Sequence, residues 1–145
     1  MKILTSFLLL SSCIISTSAF SSDLINEKRA KFNYQMLCQG CHVGDGRGGK
    51  DVPNMKGLVG NFLKTQKGRE YLVRVPGAAN SAIDSKELAE LLNWIIITIG
   101  SESKPKDFKP FTEHEVEELR EDPLMEVVQY RIMLMKELSD LPEQR

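Results

Sequence analysis

The sequence predicts an all-α protein: one helical domain followed by a helical C-terminal extension. Three observations carry that expectation. Leu88, Leu91, Leu92, Ile95, Ile96 and Ile99 recur at three- and four-residue intervals, the spacing of one helix face. A second helical pattern follows a capping signal at Thr112, and no β-α-β pattern occurs anywhere in the chain. With 145 residues, 41% of them hydrophobic, the chain suits a single core better than two.

The elements follow in order. Lys2, the apolar run Ile3 to Ile15 and the small residues Ser16 to Ala19 read as a secretory signal over residues 1–19. That run is too short and too broken by serine to span a bilayer, which takes about 20 apolar residues. The alternative is a lipoprotein box, Leu10-Ser11-Ser12-Cys13, with a lipid anchor on Cys13. Either way the expected location is outside the cytoplasm, in the periplasm. Neither a membrane-spanning helix nor a nucleic-acid partner is expected.

Residues 20–100 form the expected main domain. Leu24, Ile25, Phe32, Met36 and Leu37 are spaced for a first helix, with Ser22 or Asp23 as its cap. Six glycines and Pro53 between residues 43 and 61 demand a tightly turned loop. A short helix is expected over Lys67–Val75, ended by Pro76-Gly77. Asp84 or Ser85 then caps the helix Lys86–Ile99, and Gly100 stops it. In the extension, residues 101–145, Thr112 and Glu115 fit a capping box, and Pro123 suits the first turn of a last helix. Leu124, Val127, Val128, Ile132, Leu134, Met135 and Leu138 would form that helix's apolar stripe, with Met125, Met133 and Met135 as core fillers.

The formal net charge of −1 hides an asymmetry. Residues 44–80 hold seven bases against three acids, whereas residues 112–126 hold seven acids against Arg120 alone. Such faces are solvated, or they steer partners.

The chemistry is concentrated in Cys38-Gln39-Gly40-Cys41-His42, the C-x-x-C-H pattern of covalent haem attachment. Two cysteines three residues apart present their sulfurs to one porphyrin edge, and the next residue offers an imidazole to the iron. Half a zinc site and a thiol redox pair are the competing readings. The first lacks ligands, because the exported chain has two cysteines and two histidines and zinc takes about four ligands. The second lacks its β-α-β setting.

Over about residues 24–100 the sequence resembles the class I monohaem cytochromes c. Ala30, Tyr34 and Cys38 match the family's first helix, and Gly44-Asp45-Gly46-Arg47-Gly48 is similar to the loop after its histidine. Val52-Pro53-Asn54-Met55-Lys56-Gly57 resembles the stretch whose proline lies beside the proximal histidine, and residues 87–99 with Trp94 resemble the last helix. The resemblance implies a cytochrome c-like fold, one covalent haem c and His42 as the proximal ligand. It also implies a distal methionine shortly before the last helix, where this chain reads Gly77-Ala78-Ala79-Asn80-Ser81-Ala82. The expectation is therefore a distal position near Asn80 or Ser81 without a strong protein ligand. Met55, in the position of a proximal-side leucine, and His114 are the weaker candidates for the sixth ligand.

An electron-transfer protein serving a redox enzyme, a dehydrogenase or an oxidase, is the leading functional expectation, with the basic segment meeting an acidic partner. The alternative is a haem protein whose open distal site binds a gas or peroxide. The extension is left as either a cap over the haem or a docking module.

Overall fold

The computed structural model describes residues 25–142. The expected signal segment and Cys13 lie outside the described residues. Seven α-helices follow in order: α1 (Glu27–Leu37), α2 (Gln39–His42), α3 (Gln66–Arg74), α4 (Pro76–Ala79), α5 (Ser85–Thr98), α6 (Glu113–Arg120) and α7 (Val127–Ser139). A 3-10 helix, Val59–Lys64, precedes α3, and a second one, Ser101–Ser103, follows α5.

The caps explain where helices begin. Asp84 accepts from the Glu87 backbone N–H at 2.8 Å and starts α5, and Thr65 accepts from the Gly68 N–H at 3.0 Å to start α3. Helix α1 starts later than expected, because Asn26 rather than Ser22 or Asp23 accepts from the Arg29 N–H. Thr112 accepts from the Glu115 N–H at 3.2 Å, so the foreseen cap of α6 is half made. The Glu115 carboxylate turns instead to the guanidinium of Arg69.

Helix α5 is the centre of the core, with Leu88, Leu91, Leu92, Trp94, Ile95 and Ile96 buried. Helix α1 packs on one side, where the Tyr34 and Trp94 rings lie 5.5 Å apart, and Arg29 donates to the buried Glu90 at 2.7 Å. The face α1 buries is Ala30, Asn33 and Tyr34, while Phe32 and Met36 of the expected stripe stay exposed.

The extension is built into this same core. Phe111, Val116, Leu124 and Leu134 are buried in one cluster with the α5 residues. Buried Asn93 donates to the Phe111 carbonyl at 2.9 Å and accepts from the Phe111 N–H at 2.7 Å. Asn93→Ala strands both backbone groups, so urea unfolding is expected to show a loss of about 2–4 kcal/mol.

Charge distribution also joins the two parts. Arg69 meets Glu115 at 2.5 Å, Arg74 meets Asp122 at 2.5 Å, and Lys67 meets Glu137 at 3.3 Å. Three of the seven bases of the basic segment are thus matched by acids of the extension rather than left for a partner.

The last helix begins at Val127, not at Pro123, because the Leu124 N–H donates to the Arg74 carbonyl at 2.9 Å and holds that stretch off the helix. Its stripe is mostly solvent-facing: Leu134 is buried, while Val128 and Ile132 are exposed. Met125, Met133 and Met135 are exposed too and fill no core.

Candidate haem site

The site grows from the end of α1. Its last turn closes when the Cys38 N–H donates to Tyr34, and Cys38 then serves as the first residue before the single turn of α2. The N–H groups of Cys41 and His42 both return to the Cys38 carbonyl, at 3.1 and 2.9 Å. That one turn gathers Cys38, Cys41 and His42. Both thiols are free, Cys38 half-buried and Cys41 exposed. Burial, then the neighbouring Cys41, pushes the Cys38 thiol up to about 11. A neutral thioether at that position escapes the penalty a thiolate would meet.

The loop after α2 orients the imidazole. His42 Nδ1 lies 3.1 Å from the Pro53 carbonyl, which can only accept, so Nδ1 carries the proton and Nε2 keeps its lone pair. Burial lowers the histidine's proton affinity, against a smaller opposing effect of the Pro53 bond, and favours the neutral ring that ligation requires. The loop reaches Pro53 through Gly48, whose φ is +72° and whose Cβ, were there one, would lie 2.4 Å from the Val52 carbonyl oxygen. Just before it, Val43 holds a φ of 61°, rare for a β-branched residue, and its carbonyl accepts the Tyr34 hydroxyl at 2.6 Å.

These groups open onto a cavity of about 360 Å³ with mainly apolar walls. Cys38, Cys41, His42, Pro53 and Met55 form one wall, and Leu88, Leu91, Leu92, Ile95 and Ile96 of α5 form the floor. The remaining wall comes from α3, α4 and the segment after it, closed by Val127 and Arg131 of α7. An apolar slot with two thiols and an imidazole at its rim fits a porphyrin joined through both sulfurs and ligated by nitrogen. Among the described residues no group of three or more His, Cys, Asp or Glu is placed to hold a metal ion by itself.

The weaker candidates are scattered. Met55 lines the cavity, but on the loop of Pro53 that supports His42. Asn80 is exposed and is not among the lining residues, whereas its neighbour Ser81 is. His114 stands out from α6 with an 80% exposed side chain, 3.6 Å from Glu118 and away from the cavity. Sequence reasoning missed Tyr71, Val127 and Arg131. The last two lie beyond the resemblance, and nothing in the spacing of α7 marks which side faces a cavity.

No protein-family model matches the chain. Cytochrome c-552 of Thermus thermophilus is 34% identical to it over 102 residues, covering 57% of this chain and 78% of that protein. A second cytochrome c-552, from a named strain of the same species, is likewise 34% identical over 102 residues, with 69% of that protein covered. The chain belongs to the c-type cytochromes. Members of that family carry covalently bound haem c and transfer electrons, and the all-α fold of this cytochrome agrees with that membership. Among the described residues of the cytochrome, no helix is long and apolar enough to cross a membrane.

Proposed function

We propose that the chain is an exported electron carrier that holds one haem by thioethers from Cys38 and Cys41, with His42 as the proximal ligand. The observation that carries this reading is the His42 Nδ1 to Pro53 carbonyl contact at 3.1 Å, beside two free thiols on the rim of an apolar cavity. Bound there, the haem supplies a one-electron couple between ferrous and ferric iron.

The chain's own residues do the rest. Pro53 fixes the imidazole's tautomer and direction, so Nε2 is presented without a conformational search. The Tyr34 hydroxyl, bonded to Val43, ties the residue after His42 to α1. Leu88, Leu91, Leu92, Ile95 and Ile96 keep water from the floor, which limits the reorganisation that accompanies a change of charge. Exposed Cys41 places the attachment edge at the surface, where a redox enzyme, a dehydrogenase or an oxidase, has access. Lys67 is occupied by Glu137, so steering toward an acidic partner falls to bases such as Lys50 and Lys64, which have no ion pair among the described residues. The periplasm is the compartment this reading requires, and the N-terminal signal pattern supports it.

The test is made on the chain expressed with a periplasmic haem-attachment system. Expected is a red protein, heavier by one haem in denaturing mass spectrometry, with both thiols refractory to alkylation and a spectrum that cycles between two redox states. A colourless product whose Cys38 and Cys41 both alkylate overturns the proposal.

A further inference from the structure

The cavity walls differ in what they offer an iron atom. On the His42 side, Met55 is held by its backbone: its N–H donates to Gly46 at 2.8 Å, and its carbonyl accepts from Val59 at 2.9 Å. Two residues before it, Pro53 is committed to His42. Met55 is thereby kept on the proximal wall.

The other wall, from Val75 to Ser81 with Val127 and Arg131, contains no methionine, histidine, cysteine or lysine side chain. Its shape is fixed from behind by Arg120, whose guanidinium donates to the carbonyls of Ala79, Ser81 and Ile83 at 3.1, 2.8 and 2.9 Å. A segment so clamped cannot swing a distant residue into the cavity. Within it, the Ser81 hydroxyl is shielded from solvent and has no hydrogen-bond partner in the chain. An orphaned hydroxyl in such a place is costly and is normally explained by a partner the chain itself does not supply. Staggered χ1 positions allow this short side chain to redirect its hydroxyl within the wall.

We infer that the position opposite His42 is a binding site for a small exogenous ligand of the carbon monoxide or cyanide type, with the Ser81 hydroxyl as its hydrogen-bond donor. This rests on the haem reading above and departs from the methionine-ligated pattern implied by the family resemblance. Arg131 adds to the wall a positive charge with no ion pair among the described residues, which suits an anion.

The experiment uses the full-length haem-loaded protein. Expected are an oxidised spectrum without a methionine-to-iron charge-transfer band, a shifted Soret band when the reduced protein meets carbon monoxide, and cyanide binding to the oxidised protein. Ser81→Ala is expected to speed cyanide dissociation about fivefold, the share of one neutral hydrogen bond. Ser81→Thr, which keeps the hydroxyl, is expected to restore the slower rate. A charge-transfer band that vanishes in Met55→Leu, with no response to carbon monoxide, overturns the inference. So does a cyanide dissociation rate identical in Ser81→Ala and the parent. A protein that never becomes coloured fails at the earlier step, so the two readings fail in different ways.

Discussion

Cutting the chain after Gly100 is expected to give a polypeptide that does not fold, not a smaller cytochrome. The cut removes Phe111, Val116, Leu124 and Leu134, all buried in the cluster built around α5. Each such side chain contributes about 1.5–3 kcal/mol by burial, so the four together rival the whole stability of a typical domain, about 5–15 kcal/mol. The cut also strands Asn93, which loses both bonds to Phe111, and uncovers the three carbonyls held by Arg120. Circular dichroism of the shortened chain should show little helix and no cooperative melt. A shorter deletion that removes only residues from Val127 onward should be milder, because Leu134 is the one fully buried residue on α7. If the chain ending at Gly100 folds and melts like the parent, the shared core described above is wrong.

Replacing both attachment thiols, Cys38→Ala with Cys41→Ala, is expected to abolish covalent haem while leaving the backbone turn intact. No hydrogen bond of that turn uses a sulfur: the N–H groups of Cys41 and His42 bond to the Cys38 carbonyl. The readout is haem staining after denaturing electrophoresis, which should fall to background. Single replacements should be graded, Cys38→Ala being the more disruptive, because Cys38 is half-buried against the core and Cys41 is exposed. Full staining of the double variant would mean that the haem is joined elsewhere.

How much of this the sequence disclosed depended on whether a residue's role was local. The capping of α5 by Asp84, that of α6 by Thr112 and the apolar period of α5 need only near neighbours, and all three appear in the structure. Pro53 was expected beside His42 through the family resemblance, and it is found there. What failed depended on distant partners. Phe32 and Met36 carry the periodic signal of α1, yet the face that meets α5 is set by the smaller Ala30 and by Tyr34, which can reach Trp94 and Val43. The basic run looked like a surface for others because no local rule reveals that Glu115, Asp122 and Glu137 fold back onto Arg69, Arg74 and Lys67. Met125, Met133 and Met135 have the composition of a core but an exposed position, since α7 rests on its support through a narrow strip. Arg131 carried no signal at all.

That narrow strip decides where the molecule is softest. Helix α7 is held by Leu134, by the stacked rings of Tyr71 and Tyr130, and by a Lys67–Glu137 pair whose lysine side chain is 57% exposed, so worth little in salt. Helix α6, by contrast, is bolted to α5 and to Arg69. Breathing of the fold therefore starts at α7, and because Val127 and Arg131 complete the cavity, each such excursion unlatches a side door beside the prosthetic group while leaving its hinges shut.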